Sequence, residues 1–491
     1  MTLKFGTDGV RGVANAELTP ELVLALGRAA ARVIGGRRWL VGRDTRLSGP
    51  MLQAALSAGL ASEGIEVVDL GVIPTPGVAW ASASQSAPAA MISASHNPFG
   101  DNGIKFFTAG GRKLSDEMET RLERELASLA DTDALPLAAS PPAETVASTE
   151  GRVVIVDPAV AAPPIHVGAR TAGQIAGPRV GAQVGDLVGA PEVVDRYVDH
   201  LERVVLEGRR LDGIRVVIDC ANGAASVTAP RVLQTLGCEV TVLHAQPNGQ
   251  NINDACGSTY PADLQRAVPQ RRAHLGLAFD GDADRVIAVD AEGHLIDGDQ
   301  LIALLAIDHK QRGQLADDTV VVTIMSNLGF RLGMERRGIR VVETQVGDRN
   351  VLEALEHGRW SLGGEQSGHI IFRDLATTGD GLLTGLQVLD ALARTGKSLG
   401  DLANLAMTRL PQVLVNVKVA QRRPDLLDDL APFVAKAEEE LSGEGRVVVR
   451  ASGTEPVVRV MVEASTRETA VGVADRLAEA VGQVSRGATA D

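Results

Sequence analysis

Aromatic side chains are scarce in this chain. Phe, Trp and Tyr make up only 3% of its 491 residues, whereas 53 residues are glycine and 22 are proline. The interior must therefore be built from aliphatic side chains and alanine, with many turns between elements. At roughly 150 residues per domain, the length predicts about three domains and excludes a small disulfide-stapled module.

Cysteine, basic charge and long apolar runs are also in short supply. The three cysteines, Cys220, Cys238 and Cys256, form no CxxC pair, which excludes a disulfide framework and a Cys-rich zinc site. A net charge of −14 argues against a nucleic-acid partner or an anionic membrane surface. No apolar run is long enough for a signal peptide or a membrane helix. We therefore expect a soluble, cytoplasmic protein that holds any anionic ligand in a local basic pocket.

Helical and strand patterns alternate through the first part of the chain. Thr19 followed by Pro20 predicts a helix start, because a capping hydroxyl precedes a proline at the first helical position. Strand-like runs at 39–42 and 65–68 flank a helical pattern at about 50–63. This alternation predicts an α/β layer fold with a parallel or mixed sheet.

The alternation resumes at about residue 190 and repeats, with buried-strand candidates at 214–218 and 319–323. From about residue 411 the order becomes strand, helix, two strands and a helix, which predicts a smaller α+β unit. The sequence therefore predicts four domains. They are predicted at residues 1–139, 185–296 and 297–410 for three α/β domains with mixed sheets, and at residues 411–491 for the α+β domain.

Residues 140–184 differ from the rest of the chain. They include six prolines but no leucine and no aromatic residue. One alternative is that the short runs of Val and Ile in this segment pair as a β-hairpin. The composition favours an insertion that forms a poorly ordered loop.

Three acidic residues form the strongest local signal. Asp280, Asp282 and Asp284 are separated by small residues and follow the apolar run 275–279, at the strand end where open α/β sheets bind ligands. Their carboxylates can converge on one cation, and oxygen ligands suit Mg²⁺. An EF-hand is excluded because its glycine and glutamate at loop positions six and twelve are missing. The alternative is an acidic surface turn.

A serine-rich turn follows another apolar run, 89–92. Ser95 in this turn is a candidate nucleophile, although turns rich in capping residues also occur without any function. We expect no hydrolase-like pair between Ser95 and His96, because adjacent side chains in an extended turn point apart.

Two further loops carry polar side chains between glycines. Residues 364–369 could hydrogen-bond sugar hydroxyls, or they could simply link two strands. Residues 450–456 join two predicted strands and offer a guanidinium, two hydroxyls and backbone N–H groups, which suits a phosphate cradle, with an ordinary hairpin turn as the alternative.

Together these motifs resemble the α-D-phosphohexomutase superfamily, and within it the bacterial enzymes that act on glucosamine phosphates. The matching segments follow the family order across nearly the whole chain: 5–12, 92–98, 251–253, 256–259, 280–285, 347–349, 364–369, 378–381 and 450–456. Two features depart from the pattern. Tyr260 stands where the family usually has histidine, and 140–184 resembles an insertion between the first two domains.

The resemblance implies a heart-shaped enzyme of four domains that all contribute to one cleft. Ser95 would be a phosphoserine, whose phosphate would hold one Mg²⁺ together with Asp280, Asp282 and Asp284. Lys105 matches a family position proposed for proton transfer. The resemblance implies charge stabilisation by Arg11, His96 and Arg285, sugar contacts from Glu365, Ser367 and His369, and phosphate contacts from Arg450, Ser452, Gly453, Thr454 and Arg459.

The implied reaction interconverts glucosamine 6-phosphate and glucosamine 1-phosphate, which feeds UDP-N-acetylglucosamine synthesis. It passes through a 1,6-bisphosphate, and glucosamine or glucose 1,6-bisphosphate would be the activator. The acting unit would be a monomer or a homodimer. Three alternatives stay open: a mutase for mannose or glucose phosphates, a Mg²⁺-dependent sugar phosphatase that needs no bisphosphate, and a non-catalytic sugar-phosphate sensor.

Overall fold

The part of the chain that the structure describes forms four β-sheets, each covered by helices. A computed structural model describes residues 9–132, 184–206, 208–419, 426–451 and 456–487. The loop predicted at 140–184 therefore falls almost entirely outside the described residues, as do Ser452, Gly453 and Thr454. None of the described helices combines the length and the apolar character that a membrane span requires.

The first sheet has six strands in the order β1-β5-β4-β2-β3-β6, and only β5 runs antiparallel to the others. Its strands are β1 (Val10–Val13), β2 (Arg38–Arg43), β3 (Glu66–Val72), β4 (Ala89–Ile92), β5 (Asp101–Phe107) and β6 (Leu187–Gly189). Its helices are α1 (Pro20–Ile34), α2 (Gly49–Ser62), α3 (Thr75–Gln85) and α4 (Asp116–Thr132). Thr19 caps α1 by accepting the Leu22 N–H at 3.3 Å, which confirms the predicted start.

Strand β6 belongs to the first sheet, although it lies beyond residue 139, where the first domain is predicted to end. Although it follows the 140–184 segment, β6 pairs with β3 and completes the first sheet. Strand β6 has only three residues, all of them exposed. Such a short segment has no periodic hydrophobic pattern from which a strand could be predicted. The first sheet thus includes residues on both sides of that segment, and the predicted domain boundaries stay predictions.

The second and third sheets are also mixed. The second has the order β11-β10-β9-β7-β8, and the third has the order β13-β12-β14-β15. The second comprises β7 (Arg215–Asp219), β8 (Glu239–Leu243), β9 (Leu275–Phe279), β10 (Val286–Asp290) and β11 (Leu295–Ile296), with α5 (Glu192–Leu206), α6 (Ala229–Thr235) and α7 (Ala262–Gln270). The third comprises β12 (Thr319–Thr323), β13 (Arg340–Thr344), β14 (Leu362–Gly364) and β15 (Ile370–Phe372), with α8 (Gly298–Gln311), α9 (Leu328–Glu335), α10 (Asp348–Gly358), α11 (Gly381–Thr395) and α12 (Leu399–Ala406).

The second and third units share one hydrophobic core. A single cluster of buried apolar side chains extends from Tyr197 in α5 through the second sheet to Met407 beyond α12. Such a shared core makes a rigid platform for the loops that leave both sheets. All three cysteines are buried, Cys220 within this core, which agrees with the prediction that they are core or loop residues.

The fourth unit is smaller and has its own core. Its antiparallel sheet has the order β16-β18-β17 and carries helices on one face. Its elements are β16 (Gln412–Lys418), α13 (Leu426–Leu441), β17 (Arg446–Ala451), β18 (Val457–Glu463) and α14 (Arg467–Gly487). This confirms three mixed α/β units followed by a smaller α+β unit.

Candidate active site

The serine turn after β4 meets the acidic loop after β9. Ser95 Oγ donates to Asp280 Oδ2 at 2.5 Å, and both side chains are buried. Both loops begin where their strands end, as the sequence predicts. Ser95 adopts a left-handed backbone conformation with φ of +52°, which is unfavourable for a residue other than glycine and is typical of functional turns.

A buried arginine holds the serine turn from behind. Arg46 donates to the carbonyl oxygens of Ser95 and Asn97, each at 2.9 Å. Asp44 Oδ2 accepts the Arg46 Nε–H at 2.9 Å and the Ser93 hydroxyl at 2.6 Å. Neither Asp44 nor Arg46 was predicted from the sequence. Yet both directly follow the apolar strand β2, so the strand-end rule that indicated Asp280 would also have indicated them.

Two residues of the second unit complete the enclosure of the serine turn. Asn253 Nδ2 donates to the carbonyl oxygens of Ser95 at 2.8 Å and of Asn97 at 3.0 Å. A Cβ atom on Gly281 would lie 2.5 Å from the Ser95 carbonyl oxygen, so only glycine allows the acidic loop to approach this closely. The segment 251–253 supported the resemblance, but its contact with the serine turn was not predicted.

The three aspartates form one buried cluster. One carboxylate oxygen from each of Asp280, Asp282 and Asp284 lies within 4.8 Å of the other two. Oδ1 of Asp282 and Oδ1 of Asp284 are buried without a hydrogen-bond partner. Buried carboxylate oxygens that lack donors are expensive, and a bound divalent cation would satisfy them. The cluster therefore fits an oxygen-ligated cation such as Mg²⁺.

The pKa values of the aspartates in this cluster are shifted in different directions. Burial, with the charges of Asp284 and Asp282, raises the pKa of Asp280 well above its usual range. Burial also opposes ionisation of Asp284, but Lys105 and His369 outweigh it and hold the pKa of Asp284 well below its usual range. Without a cation, Asp280 is thus the carboxylate that keeps a proton.

Lys105 reaches the cluster from the neighbouring strand β5. Its Nζ donates to Asp282 Oδ2 at 2.8 Å and to Asp284 Oδ2 at 3.4 Å, and the side chain is only 1% exposed. Thr75, the first residue of α3, donates its hydroxyl to the same Asp282 oxygen at 2.6 Å. The predicted lysine and the three predicted acids therefore lie together, and Thr75 joins them without having been predicted.

His96 lies against Ser95, which contradicts the expectation that the two side chains point apart. His96 Nδ1 is 3.3 Å from Ser95 Oγ and 3.2 Å from Nη1 of Arg285. The expectation assumed an extended turn, whereas the left-handed conformation of Ser95 brings the side chains together. Burial and the charges of Arg285 and Arg11 lower the pKa of His96, so the neutral ring is favoured. Arg11, His96 and Arg285, which the sequence predicts to stabilise charge, therefore lie near one another on this side of the site.

The predicted sugar-binding loop connects β14 and β15 and packs against the acidic loop. Gly368 accepts the Val286 N–H at 3.1 Å, and Glu365 Oε1 accepts the Gly347 N–H at 3.1 Å. Ser367 is exposed at the tip. The structure thus leaves Ser367 and the partly exposed Glu365 available to a ligand.

His369 has a different environment from the other residues of this loop. It is buried, with Nδ1 3.7 Å from Asp284 Oδ2, while Nε2 accepts the Gly379 N–H at 2.9 Å. Burial lowers the pKa of His369, but the carboxylates of Asp284 and Asp348 outweigh it and raise the pKa overall. The His369 ring therefore lies against Asp284 and favours the ionised form of its carboxylate.

The fourth unit presents two arginines side by side. Arg450 on β17 lies directly opposite Arg459 on β18, and both are partly buried. Two like charges opposite each other on adjacent strands are unfavourable unless an anion lies between them. This arrangement therefore suits a bound phosphate at the end of the hairpin.

Comparison with known proteins identifies the family. Models described as phosphoglucomutase/phosphomannomutase domains I, II, III and IV match residues 2–133, 195–293, 297–410 and 414–480, in that order. The chain belongs to the phosphoglucomutase/phosphomannomutase family. This is a family of hexose-phosphate mutases, so the predicted resemblance and the predicted enzyme class are confirmed.

Curated relatives within this family share about half of the sequence. The phosphoglucosamine mutase of Frankia alni is 50% identical and that of Corynebacterium jeikeium is 48% identical. The alignments cover 98% of this chain in both cases, and 98% and 99% of those proteins. The similarity therefore extends over all four units.

Solved structures share the fold at lower identity. A phosphoglucomutase/phosphomannomutase family protein from Burkholderia thailandensis has a TM-score of 0.75 at 23% identity, covering 98% of both chains. Aspergillus fumigatus N-acetylphosphoglucosamine mutase, solved in complex with GlcNAc-6P and magnesium, has a TM-score of 0.64 at 20% identity, covering 99% of this chain and 96% of that one. These likenesses confirm the four-domain fold.

Proposed function

We propose that this chain is a phosphoglucosamine mutase that interconverts glucosamine 6-phosphate and glucosamine 1-phosphate through a phosphoserine at Ser95. The observation that carries the proposal is the contact between Ser95 Oγ and Asp280 Oδ2, 2.5 Å apart beside two further buried acids and Lys105. A hydroxyl held against a cation-binding cluster is the arrangement that phosphoryl transfer requires. The sugar is proposed from the names of the curated relatives.

The groups around Ser95 can neutralise the negative charge of a phosphoserine. A phosphate on Ser95 would add nearly two negative charges at pH 7. Asp280, Asp282 and Asp284 would hold one Mg²⁺, which neutralises phosphate charge and orients the phosphoryl group. Arg285 lies 3.2 Å from His96, beside the serine, where its guanidinium can neutralise a second anionic phosphate.

The proposed cycle conserves both phosphates. The Ser95 O–P bond breaks as the phosphoryl group passes to O1 of glucosamine 6-phosphate, and Lys105, in its neutral amine form, takes up the proton of that hydroxyl. The resulting 1,6-bisphosphate turns over in the cleft. Its 6-phosphoryl group then returns to Ser95 as the O6–P bond breaks, Lys105 gives the proton to O6, and glucosamine 1-phosphate leaves. Glucosamine or glucose 1,6-bisphosphate therefore restores the phosphoserine whenever the intermediate has escaped.

The non-reacting end of the sugar needs a separate holder. We assign its phosphate to Arg450 and Arg459, with Ser452, Gly453 and Thr454 between them in sequence, and its hydroxyls to Glu365 and Ser367. Several donors on a unit with its own core could accept either end of the sugar and move aside during the turnover. We place the reaction in the cytoplasm, with a monomer or a homodimer as the acting unit.

The Ser95→Ala variant tests this function, with Ser84→Ala on the exposed face of α3 as the matched control. We expect turnover to disappear in Ser95→Ala and to stay at the wild-type level in the control, with both variants folded. Full activity in Ser95→Ala would overturn the mechanism. Relative rates on glucosamine, glucose and mannose 6-phosphates test the sugar, since faster turnover of glucose or mannose phosphate would favour the other activities named by the family models.

A further inference from the structure

Two buried carboxylates from different units hold the first turn of α9. Asp299 in α8 accepts the Asn327 N–H through Oδ2 at 2.8 Å. Glu463 at the end of β18 accepts the Leu328 N–H through Oε2 at 2.7 Å. Both carboxylates are fully buried. The start of α9 is therefore a shared anchor for the third and fourth units.

Asp299 also reaches the sugar-binding loop. The Gln366 side-chain amide donates to Asp299 Oδ2 at 3.1 Å, and the Gln366 carbonyl oxygen accepts the Gly298 N–H at 3.0 Å. Gln366 lies between Glu365 and Ser367, the two residues assigned to the sugar hydroxyls. A shift of Asp299 would consequently move the tip of this loop.

Glu463 extends the same connection into the fourth unit. Arg446 on β17 donates to Glu463 Oε2 at 2.9 Å and also to the Ser326 carbonyl oxygen, while Gln412 on β16 donates to Glu463 Oε1 at 2.9 Å. Strand β17 leads directly to Arg450 in the proposed phosphate clamp. One chain of hydrogen bonds thus runs from the sugar loop to the strand that carries the clamp.

Stability alone does not account for Asp299. Among the described residues, no lysine, arginine or histidine lies within salt-bridge distance of it, and besides Asn327 and Gln366 its carboxylate has only the Ser326 hydroxyl as a polar side-chain neighbour that favours ionisation. Burial and the nearby Asp297 raise the pKa of Asp299 to about 7. A buried acid without a cation costs free energy, and such features persist mainly where function needs them.

We propose that Asp299 is a positioning residue that couples the sugar-binding loop to the fourth domain, so that sugar recognition and phosphate clamping depend on each other. The proposal rests on the proposed function, because it uses the assignment of the sugar loop and the clamp. Coupling of this kind keeps the bisphosphate engaged at one end while the other end is released. It predicts that damage at either end of the chain of hydrogen bonds weakens the other end.

A double-mutant cycle tests the coupling. Gln366→Leu removes the amide that contacts Asp299, and Glu463→Gln weakens the link to Arg446 with little change in shape. We expect each variant to lower kcat/KM for glucosamine 6-phosphate on the order of tenfold, and the double variant to lower it by little more than either one. The matched control is Glu440→Gln, which removes a carboxylate paired with Arg476 within the fourth unit, and its effect should add to that of Gln366→Leu.

Two variants of Asp299 separate positioning from a general loss of structure. Asp299→Asn keeps an oxygen that can accept from both Asn327 and Gln366, so it should preserve the non-additivity, whereas Asp299→Ala should abolish it. Additive effects of Gln366→Leu and Glu463→Gln in the wild-type background would overturn the proposal. Repeating the cycle with glucose 6-phosphate distinguishes this failure from a wrong sugar assignment, and Ser95→Ala separately tests the phosphoserine.

Discussion

Ser95 Oγ and Asp280 Oδ2 are 2.5 Å apart, although the two residues are 185 positions apart in the chain and leave different sheets. Two further contacts cross the same boundary, from Asn253 to the Ser95 carbonyl oxygen and from Thr75 to Asp282. The site therefore exists only when the first and second units are packed together. Substitutions that loosen this packing should lower activity before they unfold either unit.

Lys105→Met should nearly abolish turnover. Methionine fills a similar volume, but it removes the amino group that lies 2.8 Å from Asp282 and that we propose for proton transfer. General acid–base groups typically contribute about 10²- to 10⁴-fold, and we expect a fall in kcat of that size. Lys310→Met, which affects an exposed pair with Asp318, is the control and should retain wild-type kcat in the same steady-state assay. A kcat for Lys105→Met close to that of the control would argue against a role for Lys105 in proton transfer.

Mg²⁺ should stabilise the folded protein through the three aspartates. A ligand at about 100 times its Kd adds roughly 2.7 kcal/mol to the free energy of unfolding, which raises the Tm. We expect this shift in thermal unfolding for the wild type and not for Asp282→Asn. Asp290→Asn, in the more exposed group that includes Glu292 and His294, is the matched control and should keep the shift. An undiminished shift in Asp282→Asn would place the metal elsewhere.

Arg46→Met should cost both stability and activity. It removes every donor that Arg46 supplies to the serine turn and leaves the Asp44 carboxylate without a cation. Breaking a buried ion pair in this way typically costs about 3–5 kcal/mol. Denaturant unfolding measures the loss, and adding Asp44→Asn should recover part of it. A cost near zero would show that the turn holds its shape without Arg46.

Asp380 should make stability depend on pH. Burial raises the pKa of this N-cap residue of α11 to about 6, despite hydrogen bonds from Leu383 and Tyr197. The folded state therefore holds a proton that the unfolded state releases near its ordinary pKa of 3.8. The contribution of Asp380 to the free energy of unfolding is therefore fully present below pH 3.8. It falls by up to about 3 kcal/mol as the pH rises to about 6.

The Asp380→Asn variant isolates this contribution, because asparagine can still cap the helix. Denaturant unfolding between pH 4 and pH 7 should show the wild type losing stability relative to the variant as the pH rises. Parallel profiles for the two proteins would mean that Asp380 is ionised throughout this range.

The sequence predicts the parts of the site that lie at strand ends. Ser95 and Asp280 follow short apolar runs that predict buried strands, so their positions could be inferred from local pattern. Contacts between units carry no such pattern, which is why Asn253 and Thr75 were missed. Backbone conformation could not be predicted either. The left-handed φ of Ser95 decides where His96 points, and no periodic pattern in the sequence indicates this φ.

The mass of the intact protein tests the central claim most directly. After incubation with glucose 1,6-bisphosphate, the account predicts a gain of about 80 Da, which fragmentation places on Ser95 and not on its neighbour Ser93. The phosphate should persist while glucosamine 6-phosphate turns over, and it should be missing only from molecules that have released the bisphosphate. A phosphate on any other residue, or an unphosphorylated Ser95 in a protein that still turns over the sugar phosphate, would contradict the phosphoserine mechanism.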